Sequence, residues 1–385
     1  MAGENNNGQN KKVSFKKQTL THGKKNRYRR RKLSSSSIAV ILCSVLFVAV
    51  IATSCSKIIS DAPETFKDIY SGIVKPDVAE SGDTVGEEPV KPAFFTEVSV
   101  PTSDSEKGEL ILVNYEYAYT FPETEDHLVK INDHKTDNYG VANDFVLDGA
   151  VMGYFNDLMA YHNEVTGDTC ILINSTYRSL ESQQAIYDSY VQSSGEEYAK
   201  AYVADPGHSE HHTGLSLDLT IRYADGTYEY MRDYANLALF NQHCIKYGFV
   251  QRYPENKFNF THINTEPWHY RYVGIPHAYV MSRKYFCLEE YITFIKGYTT
   301  DTEILWLSET GEITAMAAES VSGNGYMIYS VPASADAETV LPIPATATEY
   351  AVSGDNCGGF VVAAKFGEFA LPEPSVPCPV VSPVN

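Results

Sequence analysis

The sequence predicts an α+β domain built on a small antiparallel sheet with flanking helices, carried behind an N-terminal transmembrane helix and followed by a small β module. Three observations lead there. An uncharged apolar run divides a basic tail from an acidic body. Between residues 108 and 285, apolar residues recur at helical spacing in some segments and alternate in others, without a strict strand–helix–strand rhythm. Beyond residue 285, short β-like runs are separated by Gly-rich turns.

The chain has 385 residues, room for one large domain or two small ones once the tails are set aside. Its formal charge of −19 argues against a nucleic-acid-binding body. That charge is unevenly spread. Residues 1–32 hold eleven Lys or Arg against Glu4 alone, a charge of +10, while the remainder, with 19 basic and 48 acidic residues, carries −29.

The divider is the run IAVILCSVLFVAVIA from Ile38 to Ala52, without charge, Gly or Pro. Ser37 to Ser54 gives eighteen residues, just above the lower limit of about 17 for a membrane span. The basic block precedes it, so the positive-inside rule places residues 1–37 in the cytoplasm, residues 38–54 in the membrane and the rest outside. The expected location is the cell membrane, in single-pass form. Three other readings rank lower. A cleaved signal peptide has a shorter basic region. A lipid-modified Cys55 calls for Leu three residues earlier, where this chain has Ala52. A buried core helix is disfavoured because the run is apolar on every face and follows a polybasic tail. Residues 55–107, rich in Pro, Ser, Thr, Asp and Glu, predict an extracytoplasmic linker. Seven cysteines occur and none forms a C-x-x-C pair, which argues against a zinc ribbon or a thioredoxin-like motif and specifies no disulfide.

Residues 108–285 hold the informative pattern. Val151 to His162 has helical spacing, Thr169 to Asn174 is a short apolar strand, and the polar turn STYRS follows it. Glu181 to Val191 predicts a helix with Ser179 as N-cap, and Arg232 to Tyr247 another, ended by Gly248. In Leu215 to Arg222 the alternation is strict: Leu215, Leu217, Leu219 and Ile221 take one face, and Ser216, Asp218, Thr220 and Arg222 the other. In Trp268 to Val273, Trp268, Tyr270 and Tyr272 share a face opposite His269 and Arg271.

A His-rich turn, His208 to Gly214, stands before the first of these strands, and Thr265-Glu266-Pro267 before the second. Two His and one Asp would give zinc three ligands and leave one position open. Water in that position needs a base, and Glu266 is the nearest uncommitted carboxylate. Pro267 holds Glu266 extended and bends the strand entry, which would let Glu266 and His269 face one cavity despite their odd spacing. A lone His near a strand is ordinarily a surface or core residue, and Glu-Pro-Trp-His is readable as a packed turn. The joint occurrence favours a site.

At these residues the chain resembles the VanY-type zinc D-alanyl-D-alanine carboxypeptidase family. Ser209-x-His211-x-x-Gly214-x-x-x-Asp218, followed about fifty residues later by Glu266-x-x-His269, is similar to that family's signature, as are the stretches STYRSLESQQ, PGHSEHHTGLSLDL, YGFVQRYPENK and EPWHYRYVG. The similarity covers roughly residues 110–285. It implies a zinc D,D-peptidase/hedgehog-like catalytic domain over residues 108–285, with His211, Asp218 and His269 as zinc ligands. It implies Glu266 as the general base that takes a proton from the hydrolytic water and later delivers it to the leaving amine. Arg178 would stabilise the oxyanion, and Gln183 and Ser209 would hold the substrate's terminal carboxylate or a nearby amide. The Ser-x-His-x-x-Gly frame selects His211 over His208 and His212, and His212 stands where the family often has Gln. His262 and His277 are expected to be structural or exposed. Ser216 replaces a frequent Ala, and Thr261-His262-Ile263-Asn264 departs from the expected Thr-Gly run, which alters the expected rim.

The activity implied is removal of the terminal D-Ala from peptidoglycan stem peptides or their precursors, by an enzyme tethered to the membrane and binding no nucleic acid. L,D-carboxypeptidase or endopeptidase action on murein stems stays open, as does a non-catalytic wall-peptide-binding module. The presence of Glu266 and all three ligands speaks against that last reading. Purely structural zinc is disfavoured because such sites are closed and Cys-rich. Residues 286–370 predict a small β module with strands at Glu303 to Leu307, Glu312 to Met316, Tyr326 to Pro332, Thr339 to Pro342 and Phe360 to Lys365. It is expected to pack on the catalytic domain or to bind glycan or a partner protein. The Pro-rich residues 371–385 are expected to be disordered.

Overall fold

The computed structural model describes residues 94–373. The basic tail, the apolar run, most of the linker and residues 374–385 lie outside these. Among the described residues no helix is long and apolar enough to cross a membrane.

The chain enters through β1 (Phe95–Pro101) and reaches a short ribbon of β2 (Leu128–Lys130) and β4 (Val146–Asp148), with the turn of helix α1 (Ile131–His134) and edge strand β3 (Gly140–Val141) between them. Helix α2 (Gly149–Thr166) follows, then β5 (Ile171–Ser175), α3 (Leu180–Ser194) and α4 (Glu196–Tyr202). The central strands are β6 (Ser216–Arg222), β7 (Tyr228–Tyr230), β8 (Phe249–Tyr253) and β9 (Glu266–Tyr272), with α5 (Leu237–Lys246) before β8 and the single turn α6 (Phe258–Thr261) before β9. Helices α7 (Ile275–Lys284) and α8 (Leu288–Ile295) lead to β10 (Ile304–Ser308), β11 (Ile313–Met316), β12 (Gly325–Pro332), β13 (Glu338–Pro344), β14 (Glu349–Gly354) and β15 (Gly359–Phe366).

The six-stranded sheet runs in the order β3-β5-β6-β9-β8, with β7 paired to β6. It is antiparallel apart from β3, which runs parallel to β5. The alternation in β6 works as expected: Leu217, Leu219 and Ile221 enter a core with Val151, Phe155, Leu158 and Met159 of α2 and Tyr270 and Tyr272 of β9. Asp148 caps α2 by accepting from the Ala150 amide at 2.8 Å, and Ser179 caps α3 by accepting from the Ser182 amide at 3.2 Å.

One helix is shorter than its pattern predicts. Residues 232–247 do not form one continuous helix: Met231–Asp233 is a 3-10 turn and α5 begins only at Leu237. Tertiary bonds override the local pattern. The Tyr234 hydroxyl donates to Asp168 at 2.5 Å and meets His162 at 2.8 Å, and the Asn236 amide also reaches Asp168.

The β module differs from the expectation at its edge. Its five-stranded sheet, β11-β10-β12-β15-β14, contains the five expected strands except β13, plus the unanticipated β14. Strand β13 instead pairs with β1, from residues read as linker, in seven antiparallel residue pairs from Phe95–Pro344 to Pro101–Glu338. Phe95, Val98 and Val100 pack on the module's own core of Trp306, Tyr329, Leu341 and Phe360. A further core joins the module to the preceding helices: Leu305, Leu307, Ile328, Val361 and Ala363 meet Ala278, Val280 and Met281 of α7 and Leu288, Ile292 and Ile295 of α8. Leu371 also packs at this seam and Glu373 bonds the Tyr161 hydroxyl, so the described start of the Pro-rich tail is docked. Cys170, Cys287 and Cys357 are free thiols.

Candidate metal centre and catalytic cleft

Asp218 and His269 are direct cross-strand partners of β6 and β9, so their side chains rise from one face of the sheet. His211 comes from the 3-10 turn Glu210–Thr213 that precedes β6. Gly214 ends this turn at φ +71, and a Cβ there would lie 2.7 Å from Leu128 Cδ2 and 3.1 Å from the Asp148 amide nitrogen. The Gly of the motif therefore answers both a left-handed backbone and a close approach.

Glu266 joins them through an irregularity. Between β8 and β9 the register runs Gln251–Tyr270 and then Tyr253–Glu266, so β9 holds two extra residues there. The bend expected at Pro267 is a bulge of this kind. It brings Glu266 Oε2 to 3.7 Å from His269 Nδ1, and both residues line one cleft.

The ligand atoms of His211, Asp218 and His269 all lie within 4.8 Å of one another. His211 Nε2 is 3.4 Å from Asp218 Oδ2, and His269 Nδ1 is 3.1 Å from Asp218 Oδ1. His211 Nδ1 meets the Thr176 carbonyl at 2.6 Å, which leaves Nε2 to face the site. Asp218 Oδ1 is buried and makes no hydrogen bond, as a metal-seeking oxygen would. Two imidazoles and one carboxylate form a borderline donor set suited to zinc, with a position left for water.

The electrostatics agree. Burial lowers the His211 pKa and favours the neutral, coordinating imidazole. Burial acts to raise Asp218, but the neighbouring His211 and His269 hold it well below the carboxylate range. Burial acts to lower His269, yet Asp218 and Glu210 beside it raise it to about 9, so the protein concentrates negative charge where a cation would bind. Burial pushes Glu266 up to about 8, against the pull of His269. That places its proton affinity near neutral pH, where a general base works best.

Arg178 leaves β5 through the polar turn. Its Nη1 donates to Gln183 Oε1 at 2.7 Å, its Nη2 donates to Ser175 at 3.1 Å and stands 3.8 Å from Asp218 Oδ2. Gln183 is buried, and its amide nitrogen donates to the Ala204 carbonyl at 2.7 Å. It therefore grips Arg178 while lining the cleft. Ser209 lines the cleft as well and its hydroxyl accepts from the His211 amide. The other histidines sort as follows. His212 is buried and bonds the Arg178 carbonyl and the Gly207 amide. His277 is buried against the Tyr291 hydroxyl. His208 meets the Asn114 carbonyl, and His262 stacks on Tyr115 with ring centroids 3.8 Å apart.

The cleft has a volume of about 310 Å³. Its outer wall is aromatic: Tyr190 of α3, Tyr198 and Tyr202 of α4, and Trp268. These tyrosines were not anticipated, although Tyr198 and Tyr202 stand four apart and stack at 4.6 Å. A second cavity of about 290 Å³, lined by Tyr115, Lys200, Phe258 and His262, shares Tyr253, Val203, Ala204 and Ile263 with the cleft.

A family model for D-alanyl-D-alanine carboxypeptidases, VanY, matches residues 147–275. A D-alanyl-D-alanine carboxypeptidase of Enterococcus faecium is 30% identical over 260 residues, 66% of this chain and 75% of the relative. A bifunctional D-Ala-D-Ala dipeptidase and carboxypeptidase of Enterococcus gallinarum is 39% identical over 122 residues, 31% of this chain and 64% of that protein. Among solved structures, the vancomycin-resistance D,D-dipeptidase VanXYg, in complex with a D-Ala-D-Ala phosphinate analogue, superposes with a TM-score of 0.59 at 32% identity, covering 70% of this chain and 99% of the other. With three quarters of the Enterococcus faecium enzyme matched at this identity, the chain belongs to the VanY family of D-alanyl-D-alanine carboxypeptidases.

Proposed function

We propose that the chain hydrolyses the last peptide bond of stem peptides ending in D-Ala-D-Ala, releasing D-alanine, with zinc held by His211, Asp218 and His269. The observation that carries this reading is the convergence of Asp218, His269 and Glu266 on one sheet face, with Arg178 Nη2 3.8 Å from Asp218 and the whole set open to a cleft. When bound, zinc supplies Lewis-acid chemistry, drawing electron density from the scissile carbonyl and making water nucleophilic near neutral pH. Glu266 takes the proton of the attacking water and passes it to the departing amine. A raised proton affinity suits both halves of that transfer. The Arg178 guanidinium, fixed by Gln183 and Ser175, stands ready for the negative charge that develops on the carbonyl oxygen; a single such donor contributes about 3–4 kcal/mol. Ser209, at the cleft floor, is placed to meet the terminal carboxylate or a neighbouring amide, and the aromatic wall and adjoining cavity offer room for the remaining peptide.

The same proposal sets the enzyme at the outer face of the cell membrane, held by residues 38–54. The reversal of charge across that apolar run supports this.

The experiment is hydrolysis of a stem pentapeptide, a tetrapeptide and the D-Ala-D-Ala dipeptide, with products weighed. The expected result is release of D-Ala from the pentapeptide, loss of release on chelation, and a fall of about 10²–10⁴-fold in kcat for Glu266→Ala. Full activity in Glu266→Ala would sink the mechanism. An intact pentapeptide beside a shortened tetrapeptide would reassign the substrate.

A further inference from the structure

Glu210 lies inside the Ser209–His211 motif but outside the group of three candidate ligands, and it is buried, at 1% exposure. A carboxylate in that position needs partners. Its Oε1 accepts from Arg252 Nε at 2.7 Å and lies 3.0 Å from Arg271 Nη1. Its Oε2 lies 3.4 Å from His269 Nε2, an ion-pair distance, and neither of these two buried atoms makes a hydrogen bond. Nε2 is the ring nitrogen on the far side of His269 from Asp218, whose carboxylate faces Nδ1.

The arrangement continues outward. Arg252 donates through Nη1 and Nη2 to the two oxygens of Glu289, at 2.8 and 2.6 Å. Glu289 sits on α8, which packs into the core shared with the β module and lies beyond the 147–275 stretch matched by the family model. Arg271 is held from the other side by the carbonyls of Glu109, Ile111 and Tyr272.

We propose that Glu210 is a positioning residue for the metal ligand His269, and that Glu289, acting through Arg252, sets the position of Glu210. A histidine that binds metal through one nitrogen is oriented, and made a better donor, by an acceptor on the other nitrogen. The carboxylate of Glu210 is that acceptor, and the two arginines hold it in place and balance its charge. Metal affinity in this chain therefore depends on a helix of the seam between catalytic domain and β module. The inference rests on the reading that His211, Asp218 and His269 hold zinc.

The test is zinc affinity of the full-length chain, measured without substrate by competition with a chromogenic chelator and checked by the visible spectrum of the cobalt-loaded protein. Glu210→Gln keeps the shape and removes the charge, and is expected to weaken zinc binding about 10–100-fold. Glu289→Gln is expected to weaken it several-fold and to alter the cobalt spectrum. Glu290→Gln, next to it on α8 but paired with Lys257, is expected to change neither. Wild-type zinc affinity in a folded Glu210→Gln protein overturns the proposal. Should that variant fail to fold because it leaves two arginines buried without their carboxylate, Glu289→Gln decides, and wild-type affinity there overturns it. A wild-type chain that binds no zinc at all would instead refute the functional reading on which this rests.

Discussion

The domain contains two pairs of buried histidines of similar geometry and opposite environment. In the cleft, the His211 and His269 rings stand 4.9 Å apart at 88°; on the helix side of the sheet, His162 of α2 and His243 of α5 stand 5.1 Å apart at 69°. All four residues are 4% exposed or less. In the cleft pair, ring nitrogens face the Asp218 carboxylate, with Glu210 and Glu266 behind. In the other pair, the two Nδ1 atoms face each other at 3.0 Å and His162 Nε2 meets the Tyr234 hydroxyl. The first pair directs lone pairs at a common point and brings negative charge to it. The second ties one Nδ1 to the other. Two close histidines thus do not by themselves form a candidate metal site; the shared carboxylate sets the cleft pair apart. Among the described residues His211, Asp218 and His269 are the one group of three such donors.

The largest test of this contrast is zinc-linked stability. Zinc at a thousand times its dissociation constant should raise the unfolding free energy by about 4 kcal/mol. His269→Ala should abolish that increment, whereas His243→Ala should lower the starting stability and keep it. Urea titrations with and without zinc measure both, and equal increments in the two variants would break the comparison.

The second test is pH, on metal-free protein. Burial, then the neighbouring His243, pushes the His162 pKa from an ordinary 6.5 down to about 4. The unfolded chain then binds a proton more readily than the folded one. The stabilisation from neutral His162 is complete above pH 6.5 and is lost as pH falls towards 4, at most about 3 kcal/mol. The difference in urea midpoint between wild type and His162→Gln should shrink over that interval. A constant difference would contradict the assignment.

The smallest effect separates the two regions by function. Tyr202→Ala, on the cleft wall, should raise KM about fivefold, roughly 1 kcal/mol, with little change in kcat. Tyr234→Phe, beside His162, should reduce stability and leave KM alone. Steady-state kinetics on the pentapeptide distinguishes these, and an unchanged KM for Tyr202→Ala would remove the aromatic wall from the substrate path.

What could be read in advance follows from the range of the interactions involved. Asp218 and the apolar face of β6 are visible because strand alternation is local. The joint placement of Glu266 and His269 is visible through Pro267, a residue whose constraint acts on its immediate neighbour. Glu210 stayed hidden within the motif because the groups that explain it, Arg252 and Arg271, are 42 and 61 positions away. The short α5 has the same cause, since Tyr234 is held by Asp168, 66 positions earlier. Strand β1 was masked by the polar composition around it, and its partner β13 lies some 240 positions downstream. The cleft tyrosines of α3 and α4 carry helical spacing, but nothing local says that their face borders the site.

The pairing of β1 with β13 has a mechanical meaning. A load directed along β1 enters the strand at Phe95. It then meets seven antiparallel residue pairs that must shear together, backed by the packing of Phe95, Val98 and Val100. The β module is in this respect an anchorage plate: it takes up tension before any reaches the strands that carry Asp218 and His269, so the cleft can keep its geometry while β1 is under load.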